Sequence, residues 1–192
     1  MIYGRRCEAR MMLPRVMLLG LMALAAAFRG GLAAEAPSED AVRAAYLYRF
    51  AGYVAWPDGA AADAPFVIDV MDSPAMAREL RRILASHSIN GRMTLVREVS
   101  RLQDVGNAQI LYVAEGRAQL LRELRPQGRS ALLLVTAEEG GLGDGSVINF
   151  LTVDSNVRFE VSLAAAERWG LKISADLLGV AVRVQGGHGQ LG

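Results

Sequence analysis

The chain contains 192 residues with a formal net charge of +1, and 52% of its positions are hydrophobic, so it is long and apolar enough to form a folded core. It lacks the clustered basic residues with which proteins displace counterions from nucleic acid, which argues against that class of partner. Cys7, its single cysteine, lies in an N-terminal segment that we expect to be removed, so we expect a mature chain without disulfide bonds.

The first 34 residues have the pattern of a secretory signal peptide. Four arginines precede an uncharged apolar run at residues 16–28, which is shorter than the roughly 20 residues of a membrane span. Small residues at positions 31, 33 and 34 predict cleavage after Ala33 or Ala34. Cleavage after Ala34 leaves 158 residues with a charge of −3, because five of the 21 Lys and Arg residues and one of the 20 Asp and Glu residues are removed. We therefore expect a periplasmic protein without a membrane anchor; the alternative is a retained N-terminal anchor.

Residues 41–57, AVRAAYLYRFAGYVAWP, are predicted to form an amphipathic helix that ends at a Trp-Pro pair. Ser38 is the expected N-cap, and Pro57 cannot continue the helix. One face of this helix has the 3.6-residue spacing of a buried stripe, namely Val42, Ala45, Tyr46, Phe50 and Tyr53. The helix either packs simply on a core, or its aromatic end at Tyr53 and Trp56 forms part of a recognition surface.

Strands and helices are predicted to alternate through the middle of the chain. Strands are expected at residues 66–71, 93–96, 108–113 and 129–135, and helical segments at 73–86, 100–105 and 116–124. The runs at 108–113 and 129–135 are almost continuously apolar, as in strands buried on both faces. This alternation predicts a largely parallel sheet with helices on both faces.

The pattern changes after residue 145. Residues 146–151 and 156–161 are predicted to form a β-hairpin, and two closing helices are expected from Ser162 to Trp169 and from Ser174 through ADLLGVAVRV. The predicted fold class is therefore α/β: a largely parallel sheet flanked by helices on both faces, with a C-terminal β-hairpin and two closing helices. We expect one domain at residues 35–185, followed by a flexible tail at 186–192.

The sequence contains no convincing catalytic or metal-binding motif. Neither His87 nor His188 has a cysteine or histidine at ligand spacing, and a Ser-His-Asp triad would have to use His87. The glycine-rich segment GGLGDG at residues 140–145 lacks the Lys-Ser/Thr of a phosphate-binding loop and precedes a strand, which favours a mobile surface loop. We therefore expect a protein that is not an enzyme and that holds no cofactor or metal.

Two further features of the C-terminal half allow a structural or a functional interpretation. Arg158 and Glu160 lie two residues apart on the same face of a predicted strand, either as a weak exposed pair on a solvated face or as part of a binding surface. Trp169, like Trp56, lies at a helix end, where it is either part of the core or an interface residue.

Together these segments resemble the YfiR-like family of periplasmic proteins. The similarity begins with AAYLYRFAGYVAWP, continues through FVIDV, NGRMTLVREV, NAQILYV and GSVINF, and ends with VRFEVSLAAAERWGLKISADLLGVAVRV. It covers residues 41–184, which is nearly all of the expected mature chain. Its most specific parts are the opening aromatic helix with Trp56 and Pro57 and the closing VRFEVSLAAAERWGLKIS, which occur in the same order as in the family.

The resemblance implies a function that composition and spacing do not. Founding members of the family are small α/β proteins that bind the periplasmic part of an inner-membrane diguanylate cyclase and hold it inactive. Release of the cyclase raises cyclic di-GMP and promotes biofilm formation, and members tend to dimerise. Founding members also carry cysteines whose disulfides tune repression. The mature chain lacks cysteine, so the resemblance implies repression here without a disulfide switch.

We therefore expect a non-enzymatic periplasmic repressor that forms a homodimer and binds an inner-membrane diguanylate cyclase. The expected partner-binding residues are Tyr53, Trp56, Arg158, Glu160 and Trp169. The alternative is a periplasmic ligand-binding sensor that acts on a sensor kinase or a transporter. Its ligand would occupy the crevice at the carboxyl ends of the parallel strands.

Overall fold

The computed structural model of the protein describes residues 36–57, 64–124, 126 and 131–186. The predicted signal peptide and the predicted tail beyond residue 186 lie outside the described residues. From Pro37 onward, the described residues belong to one compact unit.

Helices and strands alternate along the chain before a strand-rich C-terminal part. The α-helices are α1 (Glu39–Tyr53), α2 (Pro74–Leu84), α3 (Leu163–Arg168) and α4 (Ala175–Val180). The strands are β1 (Val54–Ala55), β2 (Phe66–Met71), β3 (Thr94–Val99), β4 (Ile110–Val113), β5 (Leu133–Thr136), β6 (Ile148–Val153), β7 (Asn156–Ser162), β8 (Lys172–Ile173) and β9 (Arg183–Gln185). Short 3-10 helices lie at Leu102–Asp104, Ala118–Glu123 and Gly141–Asp144.

The main sheet contains seven strands in the order β3-β2-β4-β5-β6-β7-β9. All neighbouring pairs are parallel except β6 and β7, which form the antiparallel hairpin. Asp154 and Ser155 turn this hairpin with φ angles of 48° and 60°, as two-residue hairpin turns require. The predicted α/β fold class, with its largely parallel sheet, hairpin and closing helices, is confirmed.

Helix α1 packs its aromatic side chains on one face of the sheet. Phe50 is completely buried, and its ring lies 5.6 Å from that of Phe150 on β6 and 5.0 Å from that of Phe159 on β7. Successive residues of a strand point to opposite faces, so Asn149 and Glu160, the neighbours of these phenylalanines, point away from α1. The sheet therefore has an apolar face under α1 and a second face with buried polar groups.

The buried face of α1 differs from the predicted stripe. The fully buried positions are Ala44, Leu47, Phe50 and Ala51, whereas Ala45 and Tyr53 are exposed. The reason is tertiary, because α1 packs against α2 as well as against the sheet, and a helix with two neighbours buries a rotated and wider face. Phe50 belongs both to the predicted stripe and to the buried face that the structure shows.

The C-terminal segment also departs from its prediction. The last helix ends at Val180, and residues 183–185 form an edge strand instead of a final helical turn. The exposed edge of β7 supplies hydrogen-bond partners, beginning with the bond from Val182 N to the Phe159 carbonyl oxygen at 2.9 Å. β-branched residues at 182 and 184 suit this extended conformation. Pairing with β7 therefore favours a strand at these residues over a continued helix.

The helix expected at residues 116–124 also differs from its prediction. It is a 3-10 helix at Ala118–Glu123.

Burial of Tyr112 on β4 should make stability sensitive to alkali. Burial raises the pKa of the Tyr112 hydroxyl to about 12, and the neighbouring Arg43 guanidinium opposes this rise only in part. A tyrosine in the unfolded chain has a pKa of about 10, so the stabilisation is complete below about pH 10 and is lost as pH rises towards about 12. We expect the unfolding free energy of the wild type to fall about 2 kcal/mol further than that of Tyr112→Phe over this range. Urea unfolding at about pH 10 and about pH 12 measures both unfolding free energies. Equal decreases for the wild type and Tyr112→Phe would contradict the prediction.

Candidate functional site

The face of the sheet opposite α1 carries a buried polar network centred on Asn149. Its Oδ1 accepts hydrogen bonds from Thr136 Oγ1 at 2.8 Å and from the Glu138 backbone N–H at 3.2 Å. Its Nδ2 donates to the Glu138 carbonyl oxygen and to Glu160 Oε1, both at 2.9 Å. Ser146 Oγ lies 3.0 Å from Thr136 Oγ1. The amide of Asn149 therefore uses both of its donors and both acceptor positions.

Glu160 extends this network to the edge of the sheet. Its side chain is 1% exposed, and its Oε2 accepts a hydrogen bond from Arg183 Nε at 2.7 Å and a second from Arg183 Nη2. The expectation that Arg158 and Glu160 share a solvated face is therefore wrong for Glu160, although Arg158 is exposed. Strand β9 places Arg183 directly beside Glu160, and this cation compensates the carboxylate as it is buried.

The glycine-rich segment crosses the sheet directly above this network. Gly141 and Leu142 are buried, so the prediction of a surface loop is wrong for this part of the segment. A Cβ atom on Gly141 would lie 2.5 Å from Asn149 Oδ1 and closer still to Thr136 Oγ1. Only glycine allows the backbone between β5 and β6 to pass so close to the strands.

A groove lies on the same face, beside the network, and we call it the sheet-face groove. Its volume is about 590 Å³. It lies between the 3-10 helix at Ala118–Glu123, the glycine-rich segment, α3 and β9. Its lining residues are Leu121, Arg122, Leu124, Pro126, Leu134, Leu142, Gly143, Asp144, Gly145, Ser162, Ala164, Arg168, Trp169 and Gln185. Concave sites of about 300–1,000 Å³ with apolar walls and a few polar groups are typical of small-molecule binding.

The structure brings together the two segments that contain the predicted aromatic site residues. Strand β1, which follows Tyr53, pairs antiparallel with β8, and Ser174 N donates to the Tyr53 carbonyl oxygen at 3.0 Å. Tyr53 is 40% exposed and lines a shallow groove of about 250 Å³ together with Lys172. The end of α1 and the segment after Trp169 therefore form one continuous surface.

The other predicted site residues have different environments. The indole of Trp56 is half-buried and lies edge-to-face on Phe66, with ring centroids 5.5 Å apart. Trp169 is 6% exposed and forms part of the sheet-face groove. Arg158 pairs with Leu151 beside Thr152, whose hydroxyl contacts Glu39 at the start of α1. The structure therefore places Arg158 near the opposite end of α1 from Tyr53.

The crevice favoured by the sensor alternative is bridged by the protein's own side chains. The strand order reverses between β2 and β4, and Asp72 and Arg117 follow these two strands. Arg117 Nε donates to Asp72 Oδ2 at 2.8 Å, across the carboxyl ends of the strands. The Glu138 carboxylate accepts a hydrogen bond from the backbone N–H of Gly116 nearby, at 2.5 Å. The sheet-face groove is thus a better candidate for a ligand than this crevice.

Asn149, Thr136 and Arg183 were not among the predicted site residues. The available signal was Asn149 itself, because an amide within the apolar strand VINFL must find hydrogen-bond partners when it is buried. The predicted last helix includes Arg183, and a helix there gives no reason to pair Arg183 with Glu160; in the structure Arg183 lies on β9.

The described part of the chain contains neither a metal-binding cluster nor a membrane-spanning helix. Among residues 36–57, 64–124, 126 and 131–186, no cluster of three or more His, Cys, Asp or Glu side chains is arranged to hold a metal ion. Across these same residues, no helix combines the length and the apolar character needed to cross a membrane.

The fold and the groove define an α/β domain with concave surfaces suited to binding. The sequence model of the YfiR/HmsC-like family matches residues 40–182, and the chain belongs to this family. Family membership indicates a periplasmic regulatory protein and agrees with the resemblance carried by the opening helix and the closing segment. No curated protein matches the chain.

Proposed function

We propose that the protein is a non-enzymatic periplasmic repressor that binds the periplasmic part of an inner-membrane diguanylate cyclase. Binding lowers cyclic di-GMP and thereby restrains biofilm formation. The observation that carries this proposal is the family match over residues 40–182, which includes both aromatic segments. In this proposal the mature chain is a homodimer, is not anchored in the membrane and needs no cofactor.

Repression is proposed to act by differential binding. The protein binds the inactive arrangement of the cyclase more tightly than the active one, so contact shifts the population towards the inactive state. Moving a two-state equilibrium from 1:99 to 99:1 requires a difference in affinity of about 10⁴-fold. With Cys7 removed together with the proposed signal peptide, the remaining chain lacks cysteine, so release depends on changes in non-covalent contacts.

The proposed partner surface combines exposed contacts with buried supports. Tyr53 and Arg158 are exposed and can touch a partner directly. Trp56, Glu160 and Trp169 are mostly covered and act by positioning the surrounding backbone. Tyrosine and arginine are frequent hot-spot residues, whereas a buried residue such as Glu160 contributes through the strands that it holds together.

Replacing Tyr53 with serine should weaken partner binding and raise cyclic di-GMP in cells that contain the partner. Truncating a hot-spot aromatic costs about 2 kcal/mol or more, so we expect affinity to fall by more than about tenfold. Met93→Ser is the matched control, because Met93 is 78% exposed and is not one of the proposed partner-binding residues. Unchanged cyclic di-GMP with a correctly folded Tyr53→Ser variant would exclude Tyr53 from the interface.

The most direct test of the function is co-purification from membranes. The mature protein, produced with an affinity tag in its own host, should retain a diguanylate cyclase that mass spectrometry identifies. Deleting the gene should raise cyclic di-GMP, and deleting the cyclase as well should abolish that rise. Retention of a sensor kinase or a transporter in place of a cyclase would favour the alternative, a periplasmic ligand-binding sensor. The observation that supports this alternative is the sheet-face groove.

A further inference from the structure

The walls of the sheet-face groove combine apolar and polar groups in similar proportion and come from several elements. Leu121 and Leu142 belong to two different 3-10 helices, and Leu134 lies on β5 of the sheet. Trp169 follows α3 and is mostly buried. Because these walls are parts of packed elements, the groove can receive an apolar body without first being assembled.

The described lining residues of the groove carry more positive than negative charge. Among them Asp144 is the single carboxylate, and it forms an ion pair with Arg122. Arg168 is exposed at the end of α3, and none of the ion pairs found among the described residues involves it. The groove therefore presents an arginine fork, which matches the geometry of a carboxylate.

We propose that the sheet-face groove binds a small amphipathic carboxylate. Its apolar body lies against the leucine side chains and Trp169, and its carboxylate accepts hydrogen bonds from Arg168. Ser162 and Gln185, which also line the groove, offer further polar contacts to the ligand. The volume of about 590 Å³ accommodates a ligand of this size. This inference goes beyond repression of a cyclase and holds whatever the membrane partner is.

The arrangement also defines what the groove should reject. A neutral amphiphile of the same length would fill the apolar part but leave Arg168 without its anion. An alkylammonium ion would place a like charge beside the guanidinium. We therefore expect affinity to follow the order carboxylate, alcohol, ammonium for one alkyl chain.

The test uses Trp169 as the reporter. The mature chain contains two tryptophans, so in a Trp56→Phe background the emission comes from Trp169 alone. Octanoate, octanol and octylammonium are titrated into this protein. We expect a saturable change in emission with octanoate at a concentration about tenfold lower than with octanol, as a hydrogen bond to a charged group implies. A response that does not saturate, or equal affinities for octanoate and octanol, would overturn the proposal.

Three variants in the same background locate the site. Arg168→Gln should weaken octanoate binding about tenfold and leave octanol binding unchanged, since only the charge-assisted contact is lost. Arg158→Gln is the matched control, because Arg158 is exposed but does not line the groove, and it should bind octanoate normally. Ala164→Phe should block both ligands by filling the groove from α3.

Circular dichroism checks that each variant is folded. Normal octanoate binding by folded Arg168→Gln or by folded Ala164→Phe would place the ligand elsewhere and overturn the proposal. Partner identification by co-purification is a separate measurement, so failure of ligand binding and failure of the repressor function remain distinguishable.

Discussion

Asn149→Asp is expected to lower the free energy of unfolding by about 3–5 kcal/mol, because it removes two donors from a buried network and introduces a carboxylate. In the native protein the Asn149 amide donates to Glu160 Oε1 and to the Glu138 carbonyl oxygen. An aspartate at this position would face the Glu160 carboxylate with a second negative charge. Asparagine and aspartate side chains have nearly the same shape. The decrease in unfolding free energy therefore reports hydrogen bonding and charge, not packing.

Urea unfolding followed by circular dichroism at neutral pH provides the measurement for Asn149→Asp. Asn156→Asp is the matched control, because Asn156 is exposed at the start of β7 and its side chain donates a hydrogen bond to the Asp154 carbonyl oxygen at 2.8 Å. Exposed substitutions of this kind usually change stability by less than about 0.5 kcal/mol. Equal losses for the two variants would mean that the Asn149 network contributes little beyond an ordinary surface contact.

Gly141→Ala should destabilise the protein by about 3 kcal/mol, at the upper end of the usual cost of overpacking. The added Cβ would overlap Asn149 Oδ1 and Thr136 Oγ1, both of which are fixed in the network. Relief of the overlap requires either rupture of these hydrogen bonds or displacement of the whole segment from the sheet. The same displacement would move Leu142 and Asp144, so the variant should also lose the shape of the sheet-face groove.

Gly143→Ala is the control for this substitution. A Cβ on Gly143 meets no heavy atom within 4 Å, and its φ lies outside the left-handed region that favours glycine. We expect its stability to equal that of the wild type or to exceed it slightly, since alanine restricts the unfolded chain. If Gly141→Ala and Gly143→Ala unfold at the same urea concentration, the close approach of the segment to the sheet is not essential for stability.

Because Glu160 is buried, we propose that it supports the partner surface and does not contact the partner itself. A 1% exposed carboxylate cannot be a direct contact, but its bonds to Asn149 and Arg183 hold β6, β7 and β9 together. Replacing either Asn149 or Arg183 would disturb the edge of the sheet first, and any partner surface only as a consequence. Exposed Tyr53 is therefore the sharper probe of partner binding.

The sequence was sufficient for the features that depend on local patterns. Apolar runs such as ILYV on β4 and LLVT on β5 predict strands, because short, almost continuously apolar runs are typical of strands buried on both faces. The sequence also predicts the helix N-caps for a local reason; they are Ser38, Ser73, Ser162 and Ser174. A serine before a helix accepts a bond from a nearby backbone N–H, and all four do so. The order of elements and the fold class therefore follow from neighbours in the chain.

Tertiary structure alone decided which distant groups meet. Residues 183–185 could continue a helix by local preference, but the free edge of β7 provides strand partners, and this pairing brings Arg183 to Glu160. The sequence of the glycine-rich segment predicts a surface loop. In the structure β5 and β6 are parallel neighbours, so their connection must return along one face of the sheet, where Gly141 lies against the network. Burial of Glu160 and the shape of the groove depend on contacts between residues far apart in sequence. Periodicity and composition carry no information on such contacts, because they describe only the surroundings of a residue along the chain.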